Sequence, residues 1–315
     1  MQRIGEKITL VIKGGIKMNK NITILIFLCL FVFSFTICSG AFSYEDGLLT
    51  DDFGHKIKLE KVETVVSLSP SITEGIYMSG FFNKIIGVVK SSSSSNWPKG
   101  IEDKVNVGNI NHVNIEKIVE LDPDLIIGSG MAKDSVEHLY DLGYKAAFIE
   151  FNNIEDILDN MLVYGKLFND SEKASEKVNE LENVITKTKK KIDVENRKTA
   201  VFLYNVKPLM AMGNETIPNQ VLKLAGLKNV VLDIQASGNP SISIEKLLEL
   251  DPEYIFLAMR AKSAKKTFAD NPIWQQLTAV KNENVYIPPT EHVLRSTPRV
   301  IYGIKNINEM VYCND

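Results

Sequence analysis

The chain contains one segment twice, and this repeat constrains the fold more than any other feature of the sequence. Residues 113–127 are VNIEKIVELDPDLII, and residues 242–256 are ISIEKLLELDPEYIF. In each copy a polar capping residue precedes a short apolar helix, and a proline ends that helix before an apolar strand. A single copy is typical of any helix–turn–strand unit. Two copies, one in each half of the chain, predict two similar lobes.

Short apolar runs alternate with helical patterns on both sides of this repeat. The strands are predicted at 64–68, 84–89, 124–128, 146–150, 199–204, 229–232, 253–258 and 284–287. The helices are predicted at 71–79, 114–121, 132–142, 217–225, 243–250 and 297–312. Such alternation favours an α/β protein whose parallel sheets are buried under helices. Ser71 and Glu74 have the spacing of a capping box at the start of the first helix.

A long polar segment without glycine or proline, residues 170–196, separates the two halves. Val178, Leu181 and Ile185 form a narrow apolar stripe along it, which is typical of a long helix with one buried edge. This helix is either an ordinary surface helix or a rigid strut between two α/β lobes. The predicted organisation is an N-terminal lobe at 42–168, a linking helix at 169–197 and a C-terminal lobe at 198–315.

The N-terminus has the pattern of a secretory signal peptide. Residues 22–38 are apolar and uncharged, lysines precede them, and small residues follow them. We therefore predict a signal peptide at 1–41, with translation starting at Met18, and a retained membrane anchor is the alternative. Cys38 is disfavoured as a lipid attachment site, because Ile37 stands where a small residue is needed. The chain is expected to act outside the cytoplasm, in the periplasm or its equivalent.

Composition and motifs argue against two other classes of protein. With 36 basic and 39 acidic residues the net charge is only −3, which argues against a nucleic-acid partner. No GxSxG, HExxH or Walker A motif occurs, and we predict no catalytic residue. Gly128-Ser129-Gly130 resembles the start of a dinucleotide fingerprint, but Lys133 occupies the place of its third glycine. A nucleotide-cofactor enzyme is therefore a remote alternative.

Several blocks of the chain resemble a known family. They include VVSLSPSITEGIYMSGFFNKIIGV at 65–88, VGNINHVNIEKIVELDPDLIIGS at 107–129 and LRSTPRVIYGI at 294–304. The resemblance covers nearly all of 48–312 and is to the periplasmic binding proteins of ABC importers for iron–siderophores, haem and vitamin B12, nearest to the vitamin B12-binding members. It implies two Rossmann-like lobes joined by one long helix, a ligand held between them, no intrinsic cofactor, and a monomer that delivers its cargo to an ABC permease and its ATPase.

Each copy of the repeat carries a glutamate in the first turn of its helix, Glu116 and Glu245. Acidic residues at this position stabilise a helix through its dipole, and that role alone explains both. The resemblance adds a second role, because family members dock on arginine pockets of the permease through glutamates at these positions. A carboxylate can bind a guanidinium through two hydrogen bonds, so two such pairs fix orientation as well as contact.

Candidate ligand-binding residues come from the loops after the strands, where α/β proteins bind small molecules. They supply an aromatic platform, adaptable thioethers, guanidinium charge and imidazole nitrogens. These candidates are Trp97, His112, Met131, Tyr204, Met210, Arg260, His292 and Arg295. Arg299 follows a proline at a helix start, and a structural role for it stays open.

The cargo itself stays open between an iron chelate, either siderophore or haem, and a corrinoid. Where vitamin B12-binding members place tryptophans, this chain has Ile110, Ser129 and Asn239. The chain contains only four histidines, so the sequence shows no dedicated metal cage, and any metal ligands are unknown. The main alternative to an importer component is an extracytoplasmic sensor or binding module for a metal ion.

Overall fold

Each half of the chain builds a sheet of mostly parallel strands. The computed structural model describes residues 42–90, 97–190, 192, 196–234, 238–258, 268 and 272–313. The predicted signal peptide at 1–41 and the candidate Arg260 lie outside these residues. No helix in the described part of the chain is long and apolar enough to cross a membrane.

The first half contains ten strands and three helices among the residues described. They are β1 (Ser43–Glu45), β2 (Leu48–Thr50), β3 (Lys56–Lys58), β4 (Val65–Ser67), α1 (Pro70–Met78), β5 (Ile85–Val88), β6 (Val105–Asn106), β7 (Gly108–Asn109), β8 (His112–Val113), α2 (Ile115–Leu121), β9 (Leu125–Ser129), α3 (Lys133–Asp141) and β10 (Ala146–Ile149). The main sheet has the order β10-β9-β4-β5-β6 and is parallel throughout. An antiparallel meander, β1-β2-β3, precedes it in the chain.

Two helices follow, and then the second half of the chain. These elements are α4 (Ile154–Leu167), α5 (Ser171–Lys189), β11 (Thr199–Val206), β12 (Leu209–Ala211), α6 (Ile217–Leu224), β13 (Lys228–Asn229), α7 (Ile244–Leu250), β14 (Tyr254–Leu257), α8 (Thr278–Lys281), β15 (Val285–Tyr286) and α9 (Val300–Tyr312). The second sheet has the order β12-β11-β14-β15, and β13 also pairs with β11. Only β12 runs antiparallel to its neighbour. The predicted two-lobed α/β class is confirmed.

The strand predicted at 229–232 is shorter than expected and gives way to a 3₁₀ turn at Val230–Ile234. The cause is the buried side chain of Asn229. Its Oδ1 accepts a hydrogen bond from the Val231 amide at 3.2 Å, and its Nδ2 donates to the Met212 carbonyl at 2.9 Å. These bonds turn the backbone away from the sheet ladder.

The capping box predicted at Ser71 and Glu74 is wrong. Helix α1 begins one residue earlier, at Pro70, and Ser69 is its N-cap, accepting a hydrogen bond from the Ser71 amide at 3.3 Å. Glu74 does not bond back to the helix start. Its carboxylate instead binds Arg299 from the second half of the chain.

The two copies of the repeat adopt the same local structure. Asn114 caps α2 by accepting from the Lys117 amide at 2.9 Å, and Ser243 caps α7 by accepting from the Lys246 amide at 3.1 Å. The acid that follows each proline then anchors the neighbouring strand. Asp124 accepts hydrogen bonds from the amide and hydroxyl of Thr64, and Glu253 accepts the equivalent pair from Thr199.

Helices α4 and α5 carry side chains into the cores of both lobes. In α4, Ile157 and Met161 pack in the core of the second lobe, while Tyr164 lies in that of the first. In α5 the order is reversed, with Ala174 in the first core and Leu181 in the second. The linking helix predicted at 169–197 is shorter in the structure, Ser171–Lys189, and its antiparallel partner α4 was not predicted.

We predict that Gly165→Ala destabilises the protein. A Cβ at Gly165 would lie 2.5 Å from Ala174 Cβ, where the two helices are closest. Alanine normally gains about 1 kcal/mol over glycine inside a helix, whereas overpacking costs about 1–3 kcal/mol, so overpacking wins here. A melting temperature lower by a few degrees in calorimetry is expected. Thr186→Ala, an exposed change on α5, should not lower the melting temperature, because alanine is the better helix former. A Gly165→Ala variant more stable than the parent would contradict this packing.

Candidate functional site

A cavity of about 470 Å³ lies at the carboxyl ends of β4, β9 and β10. The loops that follow these strands form most of its wall, at 68–71, 129–133 and 148–152. Ile110 lies on the same wall, and Ser296 contributes from the second lobe. The cavity is therefore a cleft between the lobes, and its volume lies within the range of about 300–1,000 Å³ typical of small-molecule sites.

The wall of this cleft mixes apolar side chains with several polar and charged ones. Met131 is 68% exposed, and Lys133 and Glu150 bring one charge of each sign. The Lys133 ammonium lies 5.3 Å from the centre of the Phe53 ring. Ile110 and Ser129, at which the family resemblance implied tryptophans in vitamin B12-binding members, both line the cleft. A flat cargo would therefore meet aliphatic and hydroxyl groups at these positions.

A buried ion pair joins the lobes beside the cleft. The Glu74 side chain is 2% exposed and that of Arg299 is 9% exposed. Arg299 donates from Nε to Glu74 Oε2 at 2.9 Å and from Nη2 to Oε1 at 2.8 Å. Arg295 adds a longer contact from Nη1 to Oε1 at 3.3 Å. Arg299 thus has the structural role that the sequence left open, and Arg295 shares its carboxylate.

Two opposing effects act on the ionisation of Glu74. Burial raises the pKa of the carboxyl, and the charge and hydrogen bonds of Arg299 oppose that rise. A carboxylate with two charge-assisted hydrogen bonds from one guanidinium is a strong and geometrically specific arrangement. This ion pair could not be predicted from the sequence, because the spacing of Ser71 and Glu74 fitted a helix cap equally well.

A second cavity of about 520 Å³ lies between α1, α5 and the start of α9. Trp97 and His292, two of the predicted ligand-binding residues, line this cavity rather than the cleft. The Arg299 guanidinium lies 4.0 Å from the centre of the Trp97 ring, and the Tyr77 ring meets the Trp97 ring edge-on at 5.1 Å. Burial and the charge of Arg299 lower the pKa of His292.

The other predicted ligand-binding residues are not brought together. Met131 lines the cleft, while His112 is exposed on β8. Tyr204 and Met210 are half-buried on β11 and β12, and neither lines the two cavities. Within the described residues, no three or more histidine, cysteine, aspartate or glutamate side chains form a group that could hold a metal ion.

The two glutamates of the repeat are both exposed. Glu116 lies in the first turn of α2 and Glu245 in the first turn of α7. Because the two helices belong to equivalent units in the two lobes, the glutamates occupy equivalent surface positions. They are accessible to a macromolecular partner.

Comparison with known proteins gives a consistent picture. The model of a family described as periplasmic binding protein matches residues 65–291. A vitamin B12-binding protein of Vibrio parahaemolyticus is 27% identical over 256 residues, which are 79% of this chain and 90% of that protein. An uncharacterized ABC transporter substrate-binding lipoprotein of Bacillus subtilis, YvrC, is 27% identical over 260 residues, 79% of each chain.

Solved structures share the fold. The periplasmic vitamin B12 binding protein BtuF of Vibrio cholerae superposes with a TM-score of 0.66 at 24% identity, covering 81% of this chain and 99% of that one. The periplasmic heme-binding protein RhuT from Roseiflexus superposes with a TM-score of 0.67 at 18% identity, covering 80% and 98%. At these identities the likeness establishes the two-lobed fold alone.

We predict that Glu74→Gln destabilises the protein by about 3–5 kcal/mol, because it leaves the buried Arg299 charge without its partner. Urea unfolding measures this loss. The matched control is Glu63→Gln, which removes an exposed glutamate paired with Lys61 and Lys84 at the surface and should leave the free energy of unfolding nearly unchanged. Equal effects of the two substitutions would show that the interlobe pair is not buried as described.

Proposed function

The chain belongs to the periplasmic binding protein family, and we propose that it captures a metal chelate, either a corrinoid or an iron chelate, and delivers it to an ABC permease. Family membership makes it a solute-binding component of an ABC importer rather than an enzyme. The observation that carries the choice of site is the 470 Å³ cleft at the strand ends of the first lobe, to which Ser296 of the second lobe contributes.

The chemistry of the cleft suits a cargo that has both apolar and polar groups. Met131 and Ile110 offer adaptable aliphatic contact, and Lys133 with Glu150 can orient polar substituents. Relatives named as vitamin B12-binding proteins support a corrinoid. The replacement of tryptophans by Ile110 and Ser129 supports an iron chelate, haem or siderophore, as the second candidate. We propose no intrinsic cofactor and no metal bound by the protein alone.

Export and assembly complete the proposal. Residues 1–41 act as a signal peptide, so the mature protein begins near Phe42 and works outside the cytoplasm as a monomer, without lipid at Cys38. The N-terminal lobe, the linking helix and the C-terminal lobe divide near residues 168 and 198. An extracytoplasmic sensor is the alternative role of the same fold.

We predict that Met131→Asp weakens cargo binding at least tenfold, because it replaces an apolar thioether of the proposed contact surface with a charge. Isothermal titration of the mature chain with cyanocobalamin, haemin and ferrichrome, a ferric hydroxamate, measures the affinity and identifies the cargo class. Leu142→Asp is the matched control, since Leu142 is 55% exposed just after α3 and lies outside the cleft. If a compound binds tightly and Met131→Asp does not weaken its binding, the cargo binds outside the cleft. If none of the three compounds binds, corrinoids and iron chelates are excluded as the cargo.

We also predict that Glu116→Ala together with Glu245→Ala weakens docking on the permease–ATPase complex at least tenfold while cargo affinity is unchanged. Binding to the complex in nanodiscs measures docking. The matched control is Glu120→Ala with Glu249→Ala, one turn further along the same exposed helix faces. If the two double variants behave alike, the surface contributes only general negative charge, and the docking role of the first pair is wrong.

A further inference from the structure

The cavity between α1, α5 and α9 is separate from the cleft. It shares no lining residue with the cleft, although both lie at the junction of the lobes. Tyr77 and Trp97 come from the first lobe, and Arg299 and Tyr302 come from the second. Leu181 of the linking helix α5 adds a buried apolar contact. A molecule bound here would bridge the lobes next to their ion pair.

Aromatic rings dominate the apolar part of this cavity. The Arg299 guanidinium covers one face of the Trp97 indole, and Tyr77 meets the indole edge-on. Trp97 also lines the cavity, so part of its side chain remains available to a ligand. Tyr302, which is 40% exposed on α9, supplies a further ring that a ligand can contact. Offset stacking and edge-to-face contact favour planar aromatic molecules at such a surface.

The charged groups that line the cavity already have partners. Arg299 is held by Glu74 through two hydrogen bonds, and Lys177 binds Glu180 at 2.8 Å. The lowered pKa of His292 keeps its imidazole uncharged near neutral pH. An ionic ligand would have to displace one of these partners, which carries a desolvation cost, whereas an uncharged ligand would not.

We propose that this cavity is a second binding site, which takes a small, planar, uncharged heteroaromatic molecule against the rings of Trp97 and Tyr302. The site does not depend on which cargo the cleft accepts. It reassigns the predicted ligand residue Trp97 from the cleft to a separate pocket.

Fluorine NMR of 5-fluoroindole titrated with the mature chain tests the proposal. Saturable broadening is expected, and Trp97→Ala and Tyr302→Ala should each weaken binding about tenfold, the effect of losing one aromatic contact. Tyr302 is exposed enough that its removal leaves the fold intact. Trp274→Phe, at the other tryptophan of the chain, and Met131→Asp in the cleft should leave the affinity unchanged.

A charged analogue tests the chemical class of the ligand. With 5-fluoroindole-2-carboxylate we expect affinity at least about fivefold weaker, because the cations among the described lining residues, Arg299 and Lys177, are already paired. Equal or tighter binding of the carboxylate would overturn the preference for an uncharged ligand. Non-saturable broadening, or binding lost in Met131→Asp and kept in Tyr302→Ala, would overturn the site itself. None of these outcomes depends on the cargo titrations, so the two proposals can fail separately.

Discussion

One buried carboxylate, Glu74, organises the junction on which both cavities depend. It lies in the middle of α1, whose first turn lines the cleft and whose last turn lines the second cavity. Its partner Arg299 lies between Ser296 of the cleft and Tyr302 of the second cavity. The pair therefore fixes the position of α1 in the first lobe relative to residues 296–302 of the second lobe. A shift at this contact would change the shape of both cavities together.

The energetics of such a pair explain why its geometry matters more than its net strength. Each ion loses several kcal/mol of hydration on burial, and only well-formed hydrogen bonds repay that loss. The two bonds from Arg299, at 2.9 and 2.8 Å, meet this requirement. Any other arrangement of the lobes would leave a buried charge without a partner. The pair thus favours one arrangement, and the packing of α4 on α5 across both cores supports the same arrangement.

The repeat connects the fold to the proposed partner surface. Asp124 and Glu253 hold the start of the neighbouring strands in the same way in both lobes, through Thr64 and Thr199. Each of these acids follows, after a short turn, the helix that carries Glu116 or Glu245. Equal anchoring in the two lobes therefore gives the two exposed glutamates equivalent surroundings. A partner with two similar arginine pockets would match such a surface.

Much of the fold followed from local sequence alone. Proline after an apolar helix, capping residues such as Asn114 and Ser243, and short apolar runs act within a few residues, so strands and helices were predicted close to their observed ends. The helix at 154–167 was not predicted because its apolar side chains pack in two different cores. Its sequence therefore lacks the single apolar stripe that identifies a helix with one buried face. Its capping box, Asn153 with Asp156, was the available signal.

The sites were decided by tertiary structure. Glu74 had the spacing of a cap, and only the approach of Arg299, 225 positions away, makes it an interlobe ion pair. Trp97 follows a strand like the cleft residues, yet contact with Arg299 and Tyr77 assigns it to another cavity. The sequence by itself determined the α/β lobes, their repeat and the exposed glutamates, because these depend on local periodicity and capping. The tertiary structure alone decided which side chains share a cavity, because that depends on contacts between residues far apart in the chain.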